Sequence, residues 1–378
     1  MKKAKWLIPI LIIGLLLYMH IPDTELKNVP YGERQPVFKS SENVTRWYFD
    51  KWGHFYPNLI IPDSILMANG ASLKEYFQND SIEFGKLARQ LNLKSEDYSE
   101  ENFNVSQDSL ITNELKDFHQ NLSDSSELFV LIHGFRKPLK TQHGTTSSFL
   151  DNLMIQSIIN THSKEKNHFI EIYWDGLYDF FEPQKRNQHN EVFSLFEKEA
   201  RTNAVFAGYG IRKLISKLEI SNLNIITHSL GARVALACLF NTYDDYVDAE
   251  IQNFPTPNQP NIKIGLIAPA IGMTPFEEYF DRNSSLDLSN QDNYHFHIMY
   301  NEEDIILLKK IGFLGPGPYK YGDTSLGCNY ENTAFKSKEY FQKNYPNSTL
   351  NLIEMKVGST HLTEHYVLSE GFTQFLRE

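Results

Sequence analysis

The segment IITHSLGA at residues 225–232 decides how the rest of the chain is interpreted. It begins as an apolar, β-branched run typical of a buried strand, and a pattern rich in Ala and Leu, typical of a helix, starts at Gly231. Ser229 therefore lies in a tight turn between a strand and a helix, which is the context of a nucleophile elbow. Gly231 supplies one of the two small neighbours that this turn needs, whereas Thr227 occupies the other position. An ordinary helix N-cap at Ser229 is the alternative.

Short apolar runs alternate with amphipathic helical patterns from residue 127 to the end of the chain. The predicted strands are 128–132, 169–173, 223–226, 262–267, 294–300 and 350–357, and the predicted helices are 147–160, 192–218, 232–241 and 363–376. Continuous apolar strands separated by helices indicate a mostly parallel sheet that is covered on both faces. The predicted fold is therefore a doubly wound α/β domain spanning residues 127–378.

The first of these strands runs directly into His133 and Gly134. In an acyl-transfer site of this architecture, the loop after that strand donates a backbone N–H to the developing oxyanion. Gly134 and Phe135 are the candidates for this donor, and Leu230, the residue after the candidate nucleophile, supplies the second. A glycine at position 134 allows the backbone to approach a substrate closely.

A serine nucleophile in such a fold requires an acid and a histidine at the ends of later strands. Asp304 follows the fifth predicted strand at the position expected for the acid, and Glu302 and Glu303 lie closer to the strand end. His361 falls in the loop between the last predicted strand and the last predicted helix. His365, one helical turn further on, is the alternative base.

The order Ser229, Asp304, His361 resembles that of the α/β-hydrolase superfamily, and in particular a bacterial branch of serine hydrolases with a His-Ser-x-Gly elbow. The segment IYWDG at 172–176 and the Ala-Pro pair at 268–269 are similar to features of that branch. The resemblance extends from about residue 127 to the C-terminus. It implies the α/β-hydrolase fold and a Ser-His-Asp triad that needs no metal or organic cofactor.

The resemblance further implies hydrolysis of an ester or related acyl bond in a small-molecule or lipid substrate. The chain departs from the family pattern at Thr227 and at Ala270, where an aspartate is absent. The second departure removes an alternative acid and favours Asp304. Thr227 motivates an alternative function, that of a catalytically inactive, membrane-anchored binding protein with a hydrolase-like scaffold.

A zinc peptidase is a further alternative, because residues 361–365 match the pattern H-x-x-E-H. This reading would make His361 and His365 metal ligands and Glu364 the general base. A third ligand is also needed. The pattern lies so close to the end of the chain that little sequence remains to supply it.

Composition restricts the class of partner. The 378 residues include 36 Lys and Arg against 47 Asp and Glu, a formal charge of −11, which argues against a nucleic-acid partner. Two cysteines, Cys238 and Cys328, are too few to form a disulfide framework for a chain of this length. Cys238 falls on the apolar side of the helix after the elbow, which predicts a role in core packing.

The N-terminus has the pattern of a targeting segment. Three lysines among the first five residues precede an uninterrupted apolar run at 6–19. This pattern predicts a signal anchor or signal peptide at 1–22, with the body of the protein outside the cytoplasm, or secreted if the segment is cleaved. Residues 23–126 are polar and weakly periodic, which predicts a spacer and an N-terminal elaboration of the domain.

Overall fold

The structure is a computed structural model that places most of the chain after residue 42. It describes residues 43–56, 72–122, 127–135, 147–163, 166–176, 193–218, 220, 222–240, 261–277, 294–310, 314–345 and 348–378. The predicted anchor at 1–22 lies outside this part of the chain and stays a prediction. No helix in the described residues has both the length and the apolar character needed to cross a membrane.

The strands form one mostly parallel sheet. They are β1 (Val44–Phe49), β2 (Phe55–Tyr56), β3 (Glu127–Ile132), β4 (Asn167–Tyr173), β5 (Asn222–His228), β6 (Asn261–Ile267), β7 (Tyr294–Tyr300) and β8 (Thr349–Glu354). Their order across the sheet is β2-β1-β4-β3-β5-β6-β7-β8. Among the described strands, neighbours run parallel except for β1 and β2, which are antiparallel.

Helices connect and flank the strands. They are α1 (Leu73–Asn79), α2 (Ser81–Gln90), α3 (Glu100–Asn121), α4 (Ser147–His162), α5 (Arg201–Ile215), α6 (Gly231–Leu239), α7 (Ile305–Leu308), α8 (Thr333–Asn344), α9 (Thr363–Val367) and α10 (Glu370–Arg377). A π-helical turn at Phe196–Ala200 leads into α5, and a 3-10 turn at Tyr330–Asn332 leads into α8. The predicted α/β class is therefore observed.

The register brings the carboxyl ends of several strands to one edge of the sheet. Thr227 of β5 lies between Ile132 of β3 and Leu266 of β6. Farther along, Tyr300 at the end of β7 is level with Glu354 at the end of β8. In open α/β sheets, ligands bind at this edge, outside the carboxyl ends of the strands. The loops after β3, β5, β7 and β8 therefore meet where a site is expected.

Helices α5 and α6 pack closely on the sheet beside the elbow. A Cβ added at Gly208 of α5 would lie 2.5 Å from the carbonyl oxygen of Val234 in α6, so only glycine permits this approach. Arg212 of α5 is buried and donates to the carbonyl oxygens of Ala237 and Cys238, at the C-terminal end of α6. Cys238 is fully buried, as its predicted role in packing requires, and burial raises the pKa of its thiol to about 12.

The strand predicted at 350–357 ends earlier, at Glu354. The reason is local, because Lys356 (φ +48°) and Gly358 (φ +77°) adopt left-handed conformations that turn the chain out of the sheet. The helix predicted at 363–376 is two helices, α9 and α10. Ser369 separates them and caps α10 by accepting a hydrogen bond from the N–H of Phe372.

The described part of the predicted N-terminal elaboration extends the sheet. Strand β1 pairs with β4, and Trp47 and Phe49 are buried in the core. No strand is predicted there from the sequence, because Arg46 interrupts the apolar run. In the structure, the Nε atom of Arg46 lies 2.8 Å from the buried carboxylate of Glu171 on the neighbouring strand. A long-range ion pair therefore makes a charged residue compatible with this strand.

Candidate active site

Ser229 follows the last residue of β5 and has a φ of +55°. A left-handed conformation is uncommon for a residue with a Cβ and is typical of functional turns. The neighbouring strand end holds the backbone in this conformation. The N–H of Ser229 donates to the carbonyl oxygen of Ile267 (2.9 Å), and its carbonyl oxygen accepts from the N–H of Ala270 (3.0 Å). Position 229 is thus a strained turn that its neighbours enforce.

Small residues allow β3 and its loop to pack against this turn. A Cβ at Gly231 would lie 2.6 Å from the carbonyl oxygen of Ile132, and a Cβ at Gly134 would lie 2.9 Å from the Cβ of Ser229. Thr227, in contrast, lies within β5 itself, where a β-branched residue suits the sheet. The departure from the family pattern at Thr227 therefore leaves the elbow geometry intact, and its support for an inactive scaffold is weak.

Three side chains predicted to act together form a continuous chain of hydrogen bonds. Nε2 of His361 lies 2.9 Å from Oγ of Ser229, and Nδ1 of His361 lies 2.6 Å from Oδ2 of Asp304. Asp304 is fully buried, Ser229 is 7% exposed, and 15% of the His361 side chain is exposed. The serine therefore lies at the accessible end of the chain and the carboxylate at its buried end.

The hydrogen bonds fix the tautomer of His361. A carboxylate without a proton can only accept, so Nδ1 of His361 carries the proton that it donates to Asp304. Nε2 of the neutral ring then has a lone pair directed at Ser229, whose hydroxyl can donate to it. This arrangement suits a general base that takes a proton from a serine.

Asp304 is held by four donors. It is the N-cap of α7, and its Oδ1 accepts from the backbone N–H groups of Ile306 and Leu307, both at 3.0 Å. Its Oδ2 accepts from His361 and from the hydroxyl of Tyr366 at 2.7 Å. A buried carboxylate is costly unless it is hydrogen-bonded, and here both oxygens are satisfied. The two oxygens of this carboxylate therefore have different partners: Oδ1 binds the backbone at the start of α7, and Oδ2 binds the side chains of His361 and Tyr366.

The alternative acids and base lie elsewhere. Glu302 and Glu303 are exposed, and Oε1 of Glu302 accepts from the side-chain amide of Asn329 at 2.7 Å. His365 is exposed on α9, and its backbone N–H donates to the carbonyl oxygen of Leu362. The structure thus brings Asp304, and neither glutamate, into contact with the histidine that faces the serine.

The loop after β3 is fixed by His133 and Trp174, whose rings stack at 5.5 Å. Nε2 of His133 accepts from the backbone N–H of Trp174 (3.3 Å), and its Nδ1 lies 2.8 Å from the carbonyl oxygen of Gly134. The indole N–H of Trp174 donates to the carbonyl oxygen of His133 at 3.0 Å. Beyond Gly134, the ring of Phe135 packs edge-on against that of Phe196. The predicted oxyanion loop is therefore held next to the elbow.

Leu230, the other predicted oxyanion donor, begins the turn into α6 and its side chain is fully buried. Its backbone N–H donates to no acceptor in the part of the chain that the structure describes. Buried backbone donors are almost always paired with protein or water. An unpaired N–H beside the candidate nucleophile fits a donor that a substrate oxygen would engage.

Three residues to which the sequence analysis assigns no role position the histidine loop. Nε2 of His228 lies 3.1 Å from the carbonyl oxygen of His361, and the two rings are 4.8 Å apart. The side-chain amide of Asn301 donates to the carbonyl oxygen of Gly358 at 2.7 Å. Tyr366 contacts Asp304, as described above. The sequence signals for them are the place of His228 in the His-Ser-x-Gly elbow and the aromatic residue Tyr366 in the last predicted helix, and neither signal indicates a partner.

Lys309 fixes the C-terminal end of α7, the helix whose N-cap is Asp304. Its ammonium group has three N–H bonds and lies within hydrogen-bond distance of the carbonyl oxygens of Pro318, Lys320, Tyr321 and Gly322. Burial lowers the pKa of Lys309 to about 8, with the charge of Asp323 acting in the opposite direction. Helix α7 therefore has a buried carboxylate at its first turn and a buried ammonium after its last, which fixes the position of Asp304.

The residues of the H-x-x-E-H pattern do not converge on a common point. Both ring nitrogens of His361 face protein partners, Ser229 and Asp304, and His365 is exposed. Within the described residues, no group of three or more His, Cys, Asp or Glu side chains is arranged to hold a metal ion. The geometry therefore gives the zinc peptidase alternative no support.

Two hydrolases are among the solved structures to which this chain is similar. The chain is similar to an inhibited form of esterase B from Lactobacillus rhamnosis, with 12% identity over 68% of this chain and 75% of that chain and a TM-score of 0.35. It is also similar to a hydrolase from Oleispira antarctica, with 13% identity over 67% of this chain and 92% of that chain and a TM-score of 0.27. No protein-family model and no curated protein matches.

The mostly parallel sheet of this chain, flanked by helices, is the architecture that the resemblance to the α/β-hydrolase superfamily implies. The identities and TM-scores are too low to carry a functional argument. Any assignment of activity therefore depends on the geometry at Ser229.

Proposed function

We propose that this protein is a serine hydrolase that cleaves an ester or related acyl bond. Ser229 is the nucleophile, His361 is the general base, and Asp304 is the carboxylate that orients His361. One observation carries the proposal, namely the unbroken chain of hydrogen bonds from the strained Ser229 through His361 to the buried Asp304. A structural serine at a helix start needs neither a histidine on its hydroxyl nor a positive φ.

The reaction follows from the positions of the protons. Oγ of Ser229 attacks the carbonyl carbon while its proton passes to Nε2 of His361, and Asp304 stabilises the imidazolium that forms. The imidazolium then returns the proton to the departing alkoxide, which leaves an acyl group on Ser229. Water, deprotonated by His361, releases the acid product by the reverse steps. These steps require no cofactor.

The oxyanion of the tetrahedral intermediate is expected to accept hydrogen bonds from the backbone of Leu230 and from that of Gly134 or Phe135. Two observations support this assignment: the N–H of Leu230 has no acceptor among the described residues, and Gly134 lies so close to the elbow that a Cβ there would be 2.9 Å from the Cβ of Ser229. Each such donor typically contributes about 3–4 kcal/mol to the transition state.

A fluorophosphonate probe tests the nucleophile directly, because it reacts only with a serine whose hydroxyl is activated. We expect labelling of the wild-type protein and its loss in Ser229→Ala, with the folded structure retained, since removing a turn hydroxyl costs only about 0.5–2 kcal/mol. Ser337→Ala is the matched control, because Ser337 is buried in α8 away from the site and should leave labelling unchanged. Labelling that persists in Ser229→Ala would refute the proposal.

Gly134→Ala tests the oxyanion loop. The new Cβ would lie 2.9 Å from both the carbonyl oxygen of His228 and the Cβ of Ser229, so the loop must move away from the elbow. We expect kcat to fall about 10²- to 10³-fold, as for loss of an oxyanion donor. Gly85→Ala on α2 is the control, because its Cβ would make only ordinary contacts, the closest at 3.5 Å. Equal kcat values for the two variants would argue against the oxyanion role.

A further inference from the structure

We propose that Tyr366 is a positioning residue of the reaction, which orients the carboxylate of Asp304 and moderates its attraction for the protonated His361. The inference rests on the proposed function and assigns a fourth side chain to the same site. Tyr366 would not touch the substrate. It would act through Asp304, whose Oδ2 it shares with the histidine.

The geometry places two donors on one oxygen. The hydroxyl of Tyr366 is 2.7 Å from Oδ2 of Asp304, and Nδ1 of His361 is 2.6 Å from the same atom. Both distances are those of strong hydrogen bonds to a charged acceptor. A second donor on Oδ2 draws charge from it, so the attraction that remains for His361 is weaker than that of a carboxylate oxygen with one donor.

Tyr366 can only donate in this contact. Its side chain is fully buried. Burial, together with the negative charge of Asp304 and the hydrogen bond to it, raises the pKa of Tyr366 well above its usual value. The hydroxyl therefore stays protonated over the whole pH range in which an esterase works, and its hydrogen bond to Asp304 persists whether His361 is neutral or protonated.

Helix α9 holds this hydroxyl in place. The side chain of Thr363 donates to Oδ2 of Asp151 in α4 at 3.0 Å, which fixes the start of α9 against a neighbouring helix. The ring of Tyr366 packs edge-on at 6.3 Å from His228, which itself contacts the backbone of His361. The hydroxyl is therefore preorganised, as expected for a group that positions another.

Other titratable groups also face the Asp304–His361 pair. In the described part of the chain, they are His228, beside the ring of His361, and Cys328, whose thiol interacts electrostatically with Asp304. Burial raises the pKa of Cys328 to about 12, so its thiol stays neutral. Tyr366→Phe keeps the ring that packs against His228 and removes no hydrogen bond to Cys328. A change in pH dependence on its removal is thus attributable to Asp304.

Tyr366→Phe removes the donor and leaves the ring in place. The carboxylate then holds the imidazolium of His361 more strongly, and because only the neutral ring can act as base, the acidic limb of the kcat/KM profile should move to higher pH. We expect a shift of about half a unit to one unit and a fall in kcat of about ten- to a hundredfold, with KM unchanged. The measurement is the pH dependence of ester hydrolysis.

A hydrogen-bond donor stronger than the tyrosine phenol should shift the acidic limb in the direction opposite to that expected for Tyr366→Phe. Site-specific replacement of Tyr366 by 3-fluorotyrosine makes the phenol more acidic and keeps its volume, so the acidic limb should move to lower pH. Tyr345→Phe is the matched control, because Tyr345 is also buried and its hydroxyl donates to the carbonyl oxygen of Phe276 at 3.4 Å. It should leave the pH profile unchanged.

Action through Asp304 is tested by a double variant. In an Asp304→Asn background, Tyr366→Phe should have little further effect on kcat, because the carboxylate through which it acts is gone. The inference would be overturned by an unshifted acidic limb in Tyr366→Phe or by an equal loss of kcat in both backgrounds. The proposed function would survive that outcome as long as the probe still labels Ser229. A wild-type protein that is neither labelled nor active would instead overturn the proposed function and this inference together.

Discussion

His361→Ala is expected to lower kcat for ester hydrolysis by about 10⁵- to 10⁶-fold, the size of effect seen when the base of a serine triad is removed. Without Nε2 of His361, no group among the residues that the structure describes lies at hydrogen-bond distance to take the proton of Ser229. The fold should persist, because the His361 side chain is partly exposed and carries no core packing. Steady-state hydrolysis of an activated ester, with unfolding of the variant measured in parallel, checks both expectations.

His365→Ala is the matched control. His365 is exposed on α9, so its loss should change kcat by less than about tenfold. The double variant Ser229→Ala/His361→Ala should be about as inactive as Ser229→Ala alone, since members of a triad act as a unit. The assignment of the base would be wrong if His365→Ala were inactive while His361→Ala retained activity.

The elements around the elbow could be predicted from the sequence because their signals are local. Strand β5 is a continuous apolar run, and Gly231 marks the start of α6 beside it. Each of the six strands predicted after residue 127 is observed, with differences only at the ends. Strand β8, for example, ends early because of backbone conformations at Lys356 and Gly358 that residue type alone does not determine.

The N-terminal strands could not be predicted in the same way. The sequence of β1, VTRWYF, contains Arg46, whose partner Glu171 is more than 100 residues away in the chain. A charged residue in a sequence indicates an exposed position unless a partner of opposite charge is known. Helix α3 is likewise obscured, because Glu, Asp and Asn side chains alternate with the buried Phe103, Leu110 and Phe118.

The site shows the same division between local and long-range information. Chain order sufficed to place Ser229, Asp304 and His361, because each follows a strand that ends at one edge of the sheet. The supporting contacts of Tyr366 and Lys309 depend on how α9 and the loop at 318–322 pack, which the sequence does not specify. Asp304 itself carried a local signal that sequence reasoning left unused, since an aspartate before an apolar run is a common helix N-cap.

Asp304→Asn is expected to lower kcat by about 10⁴-fold, as in triads whose aspartate fixes the tautomer of the histidine. The structure gives the reason at the level of single atoms. Oδ1 of residue 304 accepts from two backbone N–H groups at the start of α7, so an asparagine must keep its oxygen at that position. Its NH₂ group then occupies the position of Oδ2, where it faces Nδ1 of His361.

An amide that donates to Nδ1 stabilises the tautomer of His361 that carries its proton on Nε2. That nitrogen can then only donate toward Oγ of Ser229 and cannot take its proton, so the rate falls although all three side chains remain in place. Asparagine is as good an N-cap as aspartate, and the free energy of unfolding should change little. Glu303→Gln is the matched control, because Glu303 is an exposed carboxylate next to Asp304. If both variants lost activity equally, the loss would reflect the local charge and the assignment of Asp304 as the acid would be wrong.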